Sequence, residues 1–298
     1  MPKDSLIRFD WAAKRLLRQK SNFVILEGLL SSLLNEDIKI VRLLESESNK
    51  TSTDDKFNRV DLLAENSRGE LVIVEIQNDH ELDYFHRILY GVSKVITEYM
   101  FSGEEYNKVK KVYSISIVYF DLGQGSDYVY HGRTEFRGIH NHDLLRLSAT
   151  QQKQFKYKDI GDLYPEYFIL RVDDFDKKAV TPLDEWMHFL RTDEIPETAK
   201  APGLAQAREV LRIDSMSKAE RDKYYAHIEA MRYQRSVIKS GWIEGREKGL
   251  EEGEVIGFEK GETKKSIEIA RNSLQAGLSI ETISQITGFS PKEIEALK

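Results

Sequence analysis

Cysteine is absent from this 298-residue chain, which excludes disulfides and thiolate metal sites. No apolar run approaches the roughly 20 residues that a membrane helix needs. Met1-Pro2-Lys3-Asp4 lacks the apolar core of a signal peptide. The expectation is a cytoplasmic protein with no membrane partner. Neither a Gly-rich phosphate loop nor a serine nucleophile elbow is present, so no small-molecule cofactor and no Ser/His/Asp chemistry is expected. The seven histidines form no H-x-x-x-H pair, and His140-Asn-His142 reads as a surface pair in a loop. Positive charge is not in excess: the net charge of -6 argues against coating nucleic acid by charge alone. A basic stretch, Lys3 to Lys20, is open to two readings, a phosphate-touching arm or a solvated helix face. Proline is scarce and uneven. Pro165, Pro182, Pro196 and Pro202 cluster and mark the exit from a core.

What the chain does contain is a pair of acids inside two apolar runs. The stretch is Arg59-Val-Asp-Leu-Leu-Ala-Glu-Asn-Ser-Arg-Gly-Glu-Leu-Val-Ile-Val-Glu-Ile-Gln77. Asn66-Ser67-Arg68-Gly69 has the composition of a hairpin turn. Folding there sets Asp61 opposite Glu75, with both side chains on one sheet face. Burying one carboxylate among Leu71-Val72-Ile73-Val74 is costly, and two together repel. A divalent cation resolves both problems.

The elements around this hairpin indicate an α/β fold. Phe23 to Leu34 reads as a helix capped by Ser21-Asn22, and Ile38 to Leu44 as a strand, followed by a polar loop over 45–57. Leu82, Phe85, Leu89, Val92 and Ile96 recur at helical spacing and line one face. Val112 to Phe120, Tyr128 to Phe136 and Glu166 to Val172 read as strands, and Leu183 to Arg191 as a short helix. The sum is a mixed sheet flanked by helices, with a core over residues 1–195.

Residues 196–265 read as a helical extension rich in Glu, Lys, Arg, Ala and Leu. Within it Gly241, Gly245, Gly249, Gly253, Gly257 and Gly261 recur every fourth residue. Each glycine costs a helix about 1 kcal/mol against alanine. The row forms a bare ridge that another helix could approach, which suggests a homo-oligomer; a marginal linker made by local duplication is the plainer reading. Residues 266–298 form a small helical module with helix-turn-helix spacing. Gly288 ends one helix and Ser290-Pro291 starts the next. Lys292, Glu293 and Glu295 offer little to read a major groove, so a packing role is expected there.

The chemistry centres on the acid pair. Asp61, Glu75 and the Ile76 backbone carbonyl can ligate Mg²⁺ with waters, and Glu27, an acid inside an apolar helix, is a further candidate or a plain surface acid. Gln77 projects from the same face as Glu75 and can orient a water or a phosphate, but cannot act as a strong base. Arg87, Tyr90 and Lys94 share one stripe of the following helix. Arg87 can grip a phosphate, or can pair with Glu75 or Asp83.

With these residues in place the chain resembles the Rpn family of recombination-promoting nucleases, the PD-(D/E)XK nuclease family transposases. The likeness rests on Asp61 followed by Glu75-x-Gln77, on Arg87 and Tyr90, and on Tyr164-Pro-Glu-Tyr-Phe-Ile-Leu-Arg-Val. Pro182-Leu-Asp-Glu-Trp-Met-His-Phe-Leu190 and the glycine repeat add to it, so it spans most of the chain. The resemblance implies a restriction-endonuclease-like core, Mg²⁺-dependent DNA cleavage with Mn²⁺ as a possible substitute, and a role in DNA recombination or transposition. It makes Asp61 and Glu75 the metal ligands and sets Gln77 where the motif has lysine. Two departures stand out. Val60 replaces the name-giving proline, and Gln77 removes a positive charge that would stabilise the transition state. The rival expectation is a catalytically silent nuclease fold that binds DNA or protein and self-associates through its C-terminal helix.

Overall fold

The computed structural model describes residues 6–15, 19–44, 61–100, 103–176, 178–213 and 216–297. The loop over 45–57, Val60 and residues 3–5 and 16–18 of the basic N-terminal stretch lie outside them. The elements run α1 (Phe9–Arg15), α2 (Phe23–Leu34), β1 (Ile40–Leu44), β2 (Leu62–Asn66), β3 (Leu71–Gln77), α3 (Tyr84–Glu98), β4 (Val112–Val118) and β5 (Val129–Gly132). They continue with α4 (Ala149–Phe155), β6 (Glu166–Arg171), α5 (Pro182–Thr192), α6 (Leu204–Val210), α7 (Lys218–Gln275), α8 (Ile280–Thr287) and α9 (Pro291–Glu295). The chain divides into two compact units, residues 1–221 and 222–298. No helix among the described residues is long and apolar enough to cross a membrane.

The first unit holds one mixed sheet of six strands, in the order β1-β2-β3-β4-β6-β5. The β1–β2, β2–β3 and β5–β6 pairs are antiparallel, while β3–β4 and β4–β6 are parallel. This is the restriction-endonuclease-like α/β architecture expected. Strand alternation divides the buried side chains between two faces. Leu63, Leu71, Ile73 and Val112 pack against Val92 and Val95 of α3, and Val118 and Phe120 pack against Tyr84 and Ile88. On the opposite face Val72, Val74, Ile76, Ile115, Ile117 and Leu170 are equally buried. The helices α1 and α5 meet edge to face through Phe9, Trp186 and Phe189. The Tyr119 hydroxyl donates to the Leu190 carbonyl at 3.1 Å and ties α5 to the chain leaving β4.

Local sequence explains the element ends. Thr181 and Asp184 form a capping box at the start of α5, with Pro182 in its first turn, so helix entry is satisfied by side chains. The positive φ of Gly203 lets the chain turn close against α2. A Cβ added to Gly28 would lie 2.1 Å from the Pro202 carbonyl oxygen, so the two backbones meet where no side chain fits.

Three expectations shift. The buried face of α3 is Tyr84, Ile88, Gly91, Val92 and Val95, whereas Leu82, Phe85 and Leu89 are exposed. The helix begins at Tyr84, and the sheet beneath it selects that phase rather than the one starting at Leu82. Strand β5 stops at Gly132, short of Phe136, because Arg133 turns away to pair with Asp159 and Asp162 and Phe136 packs on Tyr164. The helical region after Gly203 is also interrupted, α6 ending at Val210 before α7 begins at Lys218.

The second unit is carried by α7. Apart from the adjoining backbone of α7 itself, nothing among the described residues lies within 4 Å of a Cβ built on any of the six repeat glycines, Gly241 to Gly261. At its end Gly277 and Gly288 take positive φ and stop two helices. Ala270, Ile283 and Ile294, one from each of α7, α8 and α9, form a small buried core, with Leu274, Ile280, Phe289 and Leu297 around it.

Candidate active site

The register of β2 on β3 pairs Leu62 with Val74. Asp61 therefore enters the sheet one step before β2, facing Glu75. The Ile76 amide donates to Asp61 Oδ2 at 2.8 Å. Ile76 thus meets the pair through its N–H. Glu75 is buried, and its Oε2 has no hydrogen-bond partner among the described residues. Burial raises the Glu75 carboxyl to about 7; Arg87 opposes this shift, and Asp61 and Glu81 add to it. The Tyr84 hydroxyl lowers it least, lying close without reaching hydrogen-bond geometry, and is itself buried and unpartnered.

Gln77 ends β3 two residues on and shares the face of Glu75. Its Nε2 donates to Glu81 Oε1 at 2.9 Å and to the Asp79 carbonyl at 3.2 Å. Arg87, in the first turn of α3, donates from Nη1 to the same Glu81 Oε1 at 2.7 Å. Its partner is therefore Glu81, not Asp83, and its Nε is buried without a partner. Tyr90 is exposed one turn further along. Lys94 Nζ lies 3.9 Å from Glu98 Oε1. Seven residues of helix put Lys94 about 10 Å beyond Arg87 along the axis.

The structure does not bring Glu27 to this group. Glu27 Oε1 accepts the Ile40 amide at 2.8 Å, and Ile40 pairs with Asn66 at the far end of β2. Five residues of strand separate that end from Asp61, about 17 Å. Glu27 also sits 3.5 Å from Lys39 Nζ. These contacts give it a structural task, joining α2 to β1.

The residues present fit a divalent cation in part. A buried, unpartnered carboxylate oxygen beside a second carboxylate is the environment a cation relieves. Two acids are a small donor set, and no three His, Asp or Glu side chains converge on a common point among the described residues. Backbone and water oxygens would have to complete the shell.

Glu81 and Tyr84 were not singled out in the sequence. Glu81 lies between strand and helix, where no periodicity marks it. Tyr84 was legible in principle, since Tyr84, Ile88, Val92 and Val95 also recur at helical spacing.

Comparison with known proteins places these features in a family. The model for the PD-(D/E)XK nuclease family transposase matches residues 7–241, well over half of the chain. The model for the Rpn/YhgA-like nuclease family, C-terminal HTH domain, matches residues 263–298, which contain α8 and α9. The helix-turn-helix spacing seen in the sequence is therefore that of a family domain, although a packing role was the expectation. No curated protein and no solved structure gives a match. With a match that runs from residue 7 to residue 241, the chain belongs to the PD-(D/E)XK nuclease family transposases.

Proposed function

We propose that this protein is a Mg²⁺-dependent DNA endonuclease that hydrolyses phosphodiester bonds, with Mn²⁺ as a substitute. One observation carries the reading: Glu75 Oε2 is buried and unpartnered on the sheet face it shares with Asp61. An ion held there by Asp61, Glu75 and the Ile76 carbonyl would polarise the phosphate and lower the pKa of a bound water. The side chains supply the rest. Gln77 holds a water or a phosphate oxygen through its amide. Arg87 grips the phosphate, and Tyr90 and Lys94 extend the contact along α3 to neighbouring phosphates. The Asp61 carboxylate is held in place by the Ile76 amide, so little reorganisation is needed when substrate arrives.

DNA as the substrate is supported by the C-terminal HTH match. Self-association through the α7 glycine ridge, a part in recombination or transposition and a cytoplasmic site belong to the same proposal. The test is cutting of supercoiled plasmid in Mg²⁺ or Mn²⁺, wild type beside Glu75→Ala. Cutting by wild type alone is expected. No cutting by a folded wild type would overturn it in favour of a silent nuclease fold, with Gln77 in the lysine position as the first suspect.

A further inference from the structure

We propose that the Glu81 carboxylate occupies the phosphate position of this site and is the group that a nucleic-acid phosphate must displace, an inference that rests on the nuclease reading. Glu81 Oε1 receives both Arg87 Nη1 at 2.7 Å and Gln77 Nε2 at 2.9 Å. Those are the two neutral or cationic donors assigned to the scissile phosphate. A carboxylate and a phosphate offer a guanidinium the same kind of oxygen edge. The Arg87 fork is only partly used, because its Nε is buried with no partner. A phosphate in the place of Glu81 brings more oxygens than the single Oε1 that now serves both donors.

The placement of Glu81 suits exchange. It belongs to the segment between β3 and α3, outside either element. Its side chain is 31% exposed, so it can swing into water while its backbone keeps its tie to the start of α3. Exchanging one anion for another never leaves Arg87 bare. The present arrangement instead adds a negative group to a site that already holds Asp61 and Glu75. A tethered carboxylate competes at an effective concentration on the order of millimolar, so it weakens every external anion that uses Arg87. Glu81 therefore sets how strongly a phosphate must bind to enter.

The experiment compares wild type, Glu81→Ala, Arg87→Ala and the double variant in EDTA. The probes are a duplex DNA oligonucleotide and inorganic pyrophosphate. Removing the competitor is expected to tighten binding of both by about tenfold, and the gain is expected to vanish when Arg87 is also removed. Glu81→Gln, which keeps the volume, is expected to show the same gain in smaller measure, and melting curves report folding. Binding of both probes unchanged in folded Glu81→Ala would overturn the proposal, as would a gain that persists without Arg87. A gain for pyrophosphate together with no plasmid cutting in Mg²⁺ would keep the anion exchange and sink the nuclease. Cutting by wild type with no gain in the variant would do the reverse.

Discussion

Asp61 accepts the amide of Ile76, the residue directly after Glu75, at 2.8 Å. The first acid of the pair is thus positioned by the backbone of the strand that carries the second. Asp61 has one oxygen committed to structure, whereas Glu75 has one oxygen with no partner at all. The two carboxylates are alike in type and unlike in restraint, and burial acts on the protonation of Glu75.

That response has a sign. Burial raises Glu75 from 4.5 to about 7, so between those values the folded state holds a proton that the unfolded chain has released. Stability without metal is therefore expected to fall as pH rises through that window, by on the order of 3 kcal/mol in total. Glu75→Gln removes the slope. Urea unfolding in EDTA from pH 5 to pH 8 measures it, and parallel profiles for the two proteins would refute the assignment.

Glu27 is expected to matter for folding rather than for cutting. Glu27→Ala leaves the Ile40 amide without its acceptor and is expected to lower stability by about 1–3 kcal/mol. Plasmid cutting per folded molecule stays near wild type. Loss of cutting with an unchanged melting temperature would return Glu27 to the site.

Two glycine substitutions should act in opposite directions. In Gly28→Ala the new methyl meets Pro202 backbone at 2.1 Å, and a loss of about 1–3 kcal/mol is expected from overpacking. Gly245→Ala enters open space on α7 of a single copy and, at dilutions where the chain does not self-associate, is expected to strengthen the helix by about 1 kcal/mol. Thermal melting and helical circular dichroism read both. A loss of helicity in Gly245→Ala would mean that another helix packs against the ridge.

Lys111 forms a buried polar knot away from the acid pair. Its Nζ donates to the Gly161 and Tyr164 carbonyls and, at 2.8 Å, to Glu166. Burial pushes the Glu166 carboxyl up, but Lys111 and His131 more than offset this and hold it below its ordinary range. Lys111→Met leaves the carboxylate with His131 alone and leaves the Gly161 and Tyr164 carbonyls without their donor, and is expected to cost about 1–3 kcal/mol at neutral pH. The Glu166 contribution is present above its unfolded pKa and is lost as pH falls through its lowered folded value, so the gap between variant and wild type should narrow in acid. Urea unfolding at pH 7 and at pH 3.5 tests this.

Much of this architecture was legible because it is local. The hairpin register follows from a four-residue turn and two apolar runs, and helix α2 spans Phe23–Leu34 as its apolar run indicates. What the sequence hid was decided at a distance. The phase of α3 depends on Val118 and Phe120, some thirty residues on, and strand β5 is cut short by an Arg133 pairing with Asp159 and Asp162. The sequence offered Glu75 or Asp83 as an ion partner for Arg87. The chain instead folds Glu81 back over the end of β3, where Gln77 meets it as well.

The meeting of Gly28 with Pro202 bears on how this protein can be cut into parts. Proline-rich sequence usually invites a truncation, and 196–202 looks like a seam. Yet Trp186 Nε1 donates to the Pro202 carbonyl, Gly203 lies against α2, and the Ile7 amide reaches Leu211. A chain ending at residue 195 would lose the strap that closes over its first helices. It would show a bare apolar face in solution and tend to precipitate, whereas one carried past Leu211 keeps the clasp shut.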